Sequence, residues 1–213
     1  MQINLQGIIP TFFEPGQITT SEVWGKDLQL LPGQDLFIVA PSGSGKTSFM
    51  HFIYGLRKDY KGTISYNDNN IRKFSIEKFS GFRQNSISIV FQDLRLFPDQ
   101  TARQNIEIKR QLNPYHPPGM IDEMARRLGI ESRLDKLARI CSYGEQQRIA
   151  IIRSLMQPFE FLLLDEPFSN LDEKNRVKAF ELIAEECKKR NASMIFADLK
   201  KLEFFNSERV VNL

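Results

Sequence analysis

The sequence predicts an α/β fold: a largely parallel β-sheet covered by helices, with an antiparallel β layer at one edge and an inserted helical lobe. Three observations support this prediction. Short apolar runs alternate with longer helical patterns, the first third contains runs that alternate apolar and polar residues, and the middle of the chain has helical patterns without a convincing strand. A chain of 213 residues is long enough for one such domain.

Runs rich in β-branched and aromatic residues are the candidate strands. They lie at residues 36–40, 63–66, 87–91, 161–164, 194–197 and 209–212. Several of these runs are apolar throughout, which is typical of parallel strands buried on both faces. The segments 3–13 and 23–31 alternate more, and we expect them to form the antiparallel layer at one edge.

The middle of the chain, from about residue 94 to 141, is predicted to be the helical lobe. Helical patterns cover residues 102–112 and 120–128, and Pro114, Pro117 and Pro118 interrupt them. We therefore expect a single domain. Its core covers about residues 1–93 and 142–213, with the helical subdomain inserted between them.

A glycine-rich loop follows the run at residues 36–40 and leads into a helical pattern. Strand, loop and helix start are the context of a phosphate-binding P-loop, in which backbone N–H groups face phosphate oxygens. Lys46 is expected to reach the β- and γ-phosphates, and the Thr47 hydroxyl to bind Mg²⁺. The predicted nucleotide-binding residues of this segment are Ala40, Pro41, Ser42, Gly43, Ser44, Gly45, Lys46, Thr47 and Ser48.

The loop departs from the usual G-x-x-x-x-G-K-[ST] pattern at its first position, where this chain has Ala40. Taken alone, the remaining Gly-Lys-Thr leaves a flexible Gly/Ser loop as the alternative interpretation. Its position between a predicted strand and a predicted helix favours the P-loop.

Two carboxylates, Asp165 and Glu166, end the apolar run at residues 161–164. In an open parallel sheet, this is the edge at which phosphate and metal bind. We expect Asp165 to hold Mg²⁺ through water and Glu166 to act as the general base for the attacking water. A solvated acidic strand end is the alternative for this segment considered by itself.

A capped helix is predicted directly upstream of this acidic strand. Ser142 suits the N-cap, Gly144 allows close approach of the backbone, and Glu145 suits the first helical turn. An ordinary capped helix without any functional role explains these three residues equally well when they are taken alone.

Together, these motifs resemble the ATPases of the ATP-binding cassette (ABC) family over essentially the whole chain. Ser-x-Gly-Glu-Gln-Gln-Arg at residues 142–148 looks like the family signature, and the segment 169–172 looks like the D-loop. Gln92 looks like the Q-loop glutamine, which contacts Mg²⁺ and the attacking water. Of Phe12 and Phe13, Phe13 has the better spacing for the aromatic residue that stacks on adenine. The resemblance implies a P-loop NTPase (RecA-like) core.

The resemblance also implies cofactors and partners. ATP and Mg²⁺ are the expected cofactors, with Thr47, Gln92 and Asp165 around the metal and with Gln92 and Glu166 as catalytic residues. Two cassettes, identical or different, sandwich two ATP molecules, so that the signature of one chain acts on the ATP of the other. Its residues here are Ser142, Gly144 and Glu145.

Within the family, residues 82–106 look like the lipoprotein-release and macrolide-efflux branch, and cell-division cassettes are also similar. An integral membrane permease is then the second partner. We expect the chain to be cytoplasmic and peripheral on the inner face of the cytoplasmic membrane, because its N-terminus has no basic and apolar leader. No apolar stretch approaches the roughly 18–20 residues that cross a bilayer.

Composition excludes other classes of function. A net charge of +3 is too small to predict binding to nucleic acid. The two cysteines, Cys141 and Cys187, lie far apart without metal-ligand spacing, so we expect reduced thiols and no disulfide.

Three departures from the family pattern bear on the rate of hydrolysis. Ala197 stands where we expect the switch-loop histidine, Tyr143 replaces the first signature glycine, and Ala40 replaces the first P-loop glycine. Loss of one hydrogen bond to the transition state costs about 3 kcal/mol, so we expect slow hydrolysis with ATP binding retained. The alternative is an ATP-dependent dimerisation switch that gates a membrane partner with little or no hydrolysis.

Overall fold

The computed structural model describes residues 1–18, 20–205, 207 and 209–213. Within these residues the strands form two sheets, and four of the six α-helices contact strands of the larger one. The strands in chain order are β1 (Ile3–Pro10), β2 (Leu28–Leu30), β3 (Leu36–Val39), β4 (Tyr60–Tyr66), β5 (Asn69–Asn70), β6 (Ile87–Val90), β7 (Phe161–Asp165), β8 (Ser193–Asp198) and β9 (Arg209–Asn212). The α-helices are α1 (Lys46–Ile53), α2 (Ile76–Asn85), α3 (Ala102–Leu112), α4 (Gly119–Arg127), α5 (Tyr143–Leu155) and α6 (Glu173–Arg190).

The larger sheet has the strand order β6-β7-β8-β3-β9, and each neighbouring pair is parallel. All residues of β6 and β7 are buried, as are those of β8 up to Ala197. This confirms the prediction of a parallel sheet from apolar runs, with strand ends shifted by one residue. Because the strands are parallel, their carboxyl ends meet at one edge, where the loop before α1 also lies.

The smaller sheet has the order β2-β1-β4-β5 and is antiparallel, which confirms the predicted edge layer. Strand β1 ends at Pro10, three residues before the predicted end, and β2 covers only part of the segment 23–31. The register of β1 with β4 shifts between Gln6 and Ile9, where Gly7 has φ 57°. Strand β4 begins at Tyr60, earlier than predicted, because it pairs with the end of β1.

Helices α3 and α4 lie in the segment predicted as the helical lobe. Thr101 begins α3 with a capping box to Gln104. Among the described residues of 94–141, β-structure is limited to an isolated bridge between Thr101 and Leu137. The buried side chains of α3 and α4, such as Ile106 and Met124, share one apolar cluster with α5 and β7. The apolar cluster is continuous across the predicted boundary, so the division into core and helical subdomain stays a prediction.

Two further properties follow from the arrangement of side chains. Cys141 and Cys187 are both buried free thiols, as expected. Among the helices of the described residues, none combines the length and the apolar character needed to span a bilayer.

Candidate functional site

The loop between β3 and α1 is shaped by two glycines with positive φ. Gly43 has φ 82° and Gly45 has φ 99°, which is a region that other residues rarely adopt. A Cβ on Gly45 would lie 2.9 Å from the Trp24 ring and 3.0 Å from the Phe13 ring. Trp24 also donates its indole N–H to the Ser44 carbonyl at 3.1 Å. The loop conformation is thus built around Trp24.

The alanine at position 40 fits this loop. Its φ lies outside the left-handed region and its side chain is buried, so the backbone does not require glycine here. The Ala40 N–H donates to the carbonyl of Asp198 at 3.1 Å. That bond fixes the start of the loop to the end of β8.

The ammonium group of Lys46 lies at the base of the loop, and its side chain is 5% exposed. It donates to the carbonyls of Ala40 at 2.9 Å and Pro41 at 3.0 Å. It also lies 3.1 Å from the Glu166 carboxylate. A buried cation therefore connects the phosphate loop to the acidic end of β7.

A depression of about 210 Å³ opens above the loop. Its lining residues are Phe12, Ser42, Gly43, Gly45, Lys46, Thr47, Ser48, Gln92 and Glu166. A larger cleft, about 540 Å³, lies beside Gly33 and Asp35, before the amino end of β3. Ligands of open parallel sheets bind at the carboxyl edge, so the smaller depression is the candidate site.

The two neighbouring aromatic residues behave differently. Phe13 is partly buried and packs edge-on against Trp24, with ring centroids 5.8 Å apart. Phe12 is 50% exposed, lines the depression, and has the Arg57 guanidinium 4.9 Å from its ring centroid. The position of Phe12 suits a ring that stacks on a base, and that of Phe13 suits support of the loop.

Asp165 at the end of β7 is buried, with 1% of its surface exposed. Neither carboxylate oxygen has a hydrogen-bond partner among the described residues. Burial raises the pKa of Asp165 to about 6, and the nearby Thr47 hydroxyl acts in the opposite direction. A buried carboxyl with both oxygens unsatisfied is costly unless a cation or another donor reaches it.

The oxygens near Asp165 fit a magnesium ion. The Thr47 hydroxyl donates to Oε1 of Gln92 at 3.1 Å. Thr47 also lies beside Asp165, so a hydroxyl, an amide and a carboxylate oxygen come close together. The described residues contain no cluster of three or more His, Cys, Asp or Glu side chains that could hold a metal alone. Mg²⁺ in phosphate sites typically takes one or two carboxylates and completes its shell with water and phosphate oxygens.

Glu166 has φ 45°, which is a sparsely populated conformation for a residue with a side chain. Its N–H donates to the Ala197 carbonyl at 2.9 Å, and Gln147 of α5 donates to its carbonyl at 3.2 Å. These bonds hold a conformation that costs on the order of 1–3 kcal/mol. Gln147 was not among the predicted site residues, although it belongs to the signature run.

Ala197 and Asp198, the last two residues of β8, have side chains in different environments. Ala197 is fully buried and packs with Ile38, Leu163 and Ile195 in the apolar core. Asp198 is partly exposed, and burial and the nearby Glu166 raise the pKa of its carboxyl while Lys46 lowers it. Of these two residues, Asp198 is therefore the one whose side chain faces the charged site.

The signature residues form the N-terminus of α5. The Ser142 hydroxyl accepts from the Glu145 N–H and the Glu145 carboxylate accepts from the Ser142 N–H, which is a capping box. Arg133 also donates to Glu145 at 2.8 Å. A Cβ on Gly144 would lie 2.9 Å from the Asn170 carbonyl, so glycine is needed for contact with the segment after β7.

The signature residues Ser142, Gly144 and Glu145 are absent from the lining of the chain's own depression, as far as the described residues define it. Tyr143, which lies between them, is 48% exposed. Its hydroxyl donates to the carbonyl of Gln92 at 3.3 Å. The structure thus brings the P-loop, Gln92, Asp165 and Glu166 together and leaves the signature outside.

Comparisons with known proteins agree with this geometry. The family model described as ABC transporter matches residues 25–169. The ATP-binding protein LolD 2 of a lipoprotein-releasing system from Chlorobaculum tepidum is 30% identical over 205 residues, which cover 92% of this chain and 82% of that protein. The macrolide export ATP-binding/permease protein MacB of Marinobacter nauticus is 30% identical, covering 86% of this chain and 29% of that protein.

Solved structures show the same fold. A bacterial ABC transporter cassette solved as a dimer superposes with a TM-score of 0.80 at 22% identity, covering 93% of this chain and 88% of that one. The family model matches more than half of the chain. Both relatives are named as ATP-binding proteins. This chain is therefore a member of the ABC transporter family, and it is an ATP-binding cassette.

Proposed function

We propose that this cassette hydrolyses ATP as the motor subunit of an envelope transport or mechanotransmission complex. The amides of the loop at residues 41–48 and Lys46 bind the phosphates, and Phe12 or Phe13 stacks on the adenine. The half-exposed ring of Phe12 at the depression favours Phe12 for this contact.

Thr47, Gln92 and Asp165 would hold Mg²⁺ with the bound nucleotide. When bound, the ion would neutralise negative charge on the phosphate oxygens. The unsatisfied, buried oxygens of Asp165 support this assignment. Both of its carboxylate oxygens lack a hydrogen-bond partner among the described residues, whereas the Thr47 hydroxyl is bonded to Gln92.

The contact of 3.1 Å between Glu166 and Lys46 is the observation that carries the proposal of hydrolysis. It places a carboxylate beside the group that would reach the γ-phosphate. Glu166 would accept a proton from the attacking water, and Gln92, which also lines the depression, would orient that water. From a left-handed backbone conformation, with φ 45°, the Glu166 carboxylate reaches Lys46 at the base of the loop.

Replacing the general base separates hydrolysis from binding. Glu166→Gln is expected to lower steady-state hydrolysis by about 100-fold or more while MgATP affinity stays within about threefold. Glu181→Gln, at an exposed position of α6, is the matched control and should leave both quantities unchanged. A parent protein that binds ATP with no turnover above the Glu166→Gln background would favour the dimerisation switch and reject the motor.

A second cassette, identical or different, is part of the proposal because Ser142, Gly144 and Glu145 do not line the chain's own site. The Ser142 hydroxyl accepts a bond within the cap, and its proton remains available for an anion at the N-terminus of α5. Glu145 would act by holding the cap, since both of its carboxylate oxygens are engaged.

Formation of the dimer can be measured directly. Glu166→Gln protein is expected to double its mass in light scattering when MgATP is added, and Ser142→Ala in the same background should lower the dimer fraction. A monomer at saturating MgATP would exclude a homodimer. Addition of MgATP to the two purified cassettes of a candidate pair tests the heterodimer in the same way.

The membrane partner is proposed from the relatives, whose names describe subunits of lipoprotein-releasing and macrolide export systems. The cassette would then lie on the inner face of the cytoplasmic membrane, bound to an integral permease. Hydrolysis measured with and without the cognate permease in nanodiscs tests this, since a coupled motor changes its rate severalfold. An identical rate in both samples would argue against coupling.

Slow hydrolysis remains part of the proposal. Its support is the absence of an imidazole at both Ala197 and Asp198. Turnover of the purified dimer below about one ATP per second would agree with it, since typical enzymes turn over at 1–1,000 s⁻¹. Faster turnover would reject it.

A further inference from the structure

Helix α5 holds the segment that carries Gln92 at two points. The hydroxyl of Tyr143, at the start of the helix, donates to the Gln92 carbonyl at 3.3 Å. Arg153, near its end, donates to the carbonyls of Leu94 and Arg95, the latter at 2.7 Å. Leu94 and Arg95 have φ 57° and 47°, a strained conformation that persists only where neighbours enforce it. The path of this segment therefore depends on α5.

The side chain of Gln92 lines the proposed nucleotide pocket. Its side-chain Oε1 accepts the hydroxyl proton of Thr47 at 3.1 Å. Thr47, Gln92 and Tyr143 thus form a hydrogen-bonded path from the P-loop helix to the N-terminus of α5. Ser142 and Gly144 flank Tyr143 at that terminus.

We propose that Tyr143 is a positioning residue whose hydroxyl holds Gln92 of its own chain in place at the ATP site. This inference rests on the proposed function, in which Ser142 and Gly144 beside it face the ATP of the partner. One residue at the start of α5 would then serve the site of its own chain, while its neighbours serve the opposite site. The hydrogen bond from the tyrosine hydroxyl to the Gln92 carbonyl is the feature that carries this assignment.

The proposal predicts a change in rate without a change in affinity. The loop amides and Lys46 bind the phosphates, and Tyr143 does not line the pocket. Loss of one neutral hydrogen bond corresponds to a factor of about 3 to 10. Tyr143→Phe keeps the ring and removes only the hydroxyl. It should lower kcat by about three- to tenfold and leave the Kd for MgATP within about twofold.

Tyr115→Phe is the matched control. Tyr115 is 42% exposed, and its hydroxyl makes no hydrogen bond to the part of the chain that the structure describes. This variant should keep the parent kcat. Urea unfolding of the parent, Tyr143→Phe and Tyr115→Phe tests a merely structural role. Such a role would lower the free energy of unfolding, but it would not lower kcat while leaving the Kd for MgATP unchanged. A parent-like kcat in Tyr143→Phe would overturn the proposal.

A linked dimer separates the effect on the chain's own site from the effect on the partner's site. Two full chains are joined by a flexible linker, and Glu166→Gln silences one of them. In the first arrangement Tyr143→Phe is placed on the active chain, and in the second it is placed on the silent chain.

The first arrangement should hydrolyse ATP about three- to tenfold more slowly than the second. Equal rates, or a slower second arrangement, would overturn the inference, and the latter would show that Tyr143 acts through the signature. If Glu166→Gln on both chains left hydrolysis intact, the proposed function would fail first and the inference with it. The two failures are therefore distinguishable.

Discussion

The hydroxyl of Thr47 in the first turn of α1 donates to Oε1 of Gln92, which follows β6, at 3.1 Å. Strand β6 is separated from β3, which leads into α1, by β7 and β8 in the sheet. The contact thus bridges two strands, and Asp165 at the end of β7 lies near Thr47. Parallel strand direction brings three distant segments to one edge and assembles the oxygen atoms proposed to hold the metal.

Replacement of Asp165 is expected to stabilise the nucleotide-free protein. The folded-state pKa of about 6 lies above the ordinary value of 3.8, so this carboxyl favours the folded state at low pH. That contribution is lost as pH rises through about 6. Asp165→Asn should therefore raise the free energy of unfolding by about 2 kcal/mol at pH 7.5, and less at pH 5.

Urea unfolding with a chelator present measures this difference at both pH values. The same variant should lose the stabilisation that MgATP gives to the parent. An Asp165→Asn protein that is less stable than the parent at pH 7.5 would contradict the account of an unsatisfied buried carboxylate.

Gly45→Ala is expected to damage both stability and nucleotide binding. Its Cβ would contact the rings of Trp24 and Phe13 at 2.9 and 3.0 Å, and φ is 99°. We expect a loss of about 2–4 kcal/mol, combining strain and overpacking. Gly43→Ala has positive φ but no neighbour within 4 Å, so it should lose about 1 kcal/mol.

Gly81→Ala, inside α2, is the control for these two variants, because its φ is ordinary and its Cβ meets nothing within 4 Å. It should be neutral or stabilising. Thermal unfolding of the three variants measures the order of their losses in stability. Equal losses for Gly43→Ala and Gly45→Ala would show that Trp24 does not shape the loop.

Ala197→His and Asp198→His are expected to differ sharply. Ala197 is fully buried among Ile38, Leu163 and Ile195, so an imidazole there overpacks the core and should destabilise by about 2–3 kcal/mol without raising turnover. Asp198 is partly exposed on the side of Glu166 and Lys46. Asp198→His should fold normally and raise turnover by about three- to tenfold, as one added hydrogen bond predicts.

Steady-state ATP hydrolysis and urea unfolding of both variants measure these effects. Faster hydrolysis by Ala197→His than by Asp198→His would show that position 197 holds the place of the missing histidine. The slow rate predicted from the sequence would then have its cause at that position.

Glu186 of α6 is expected to stabilise the junction with the loop before α4. Burial raises the pKa of this carboxyl, but hydrogen bonds from His116 at 2.6 Å and from Arg190 outweigh it and lower the pKa to about 2. A depressed pKa adds stability above the ordinary value of 4.5 that is lost as pH falls toward 2. Glu186→Gln should lose about 3 kcal/mol at pH 7 and progressively less below pH 4.5.

The neighbouring Glu185→Gln is the control for this variant. Glu185 is 43% exposed in its ion pairs with Arg127 and Lys189, and such pairs contribute about 0.2–1 kcal/mol. Urea unfolding between pH 7 and pH 4 compares the two. Similar losses at pH 7 would show that the buried cluster around Glu186 does not stabilise the junction.

The sequence predicted the parts of the fold that local pattern encodes. Apolar runs gave the parallel strands, and the loop between β3 and α1 was located from its glycines and its lysine. The cap predicted at Ser142 also follows from local residues. Contacts between distant segments could not be read in this way. Trp24 against Gly45, and Gln147 against Glu166, join parts of the chain whose separation carries no periodic signal.

The end of β8 shows a second limit. Sequence spacing does not determine which of two adjacent residues faces a site, because a shift by one residue turns a strand side chain to the other face. Ala197 and Asp198 therefore became distinguishable only through their packing. The same uncertainty applied to Phe12 and Phe13, where spacing favoured Phe13 and the depression is lined by Phe12.

The central claim is that the loop at residues 41–48 and Lys46 bind MgATP. Isothermal titration of the parent protein, Lys46→Ala and Lys188→Ala with MgATP tests it most directly, Lys188 being an exposed lysine of α6. We predict that Lys46→Ala weakens binding by at least about 100-fold, because a buried cation within the phosphate site is removed, and that Lys188→Ala binds as the parent does. Equal affinity of the parent and Lys46→Ala would contradict the account.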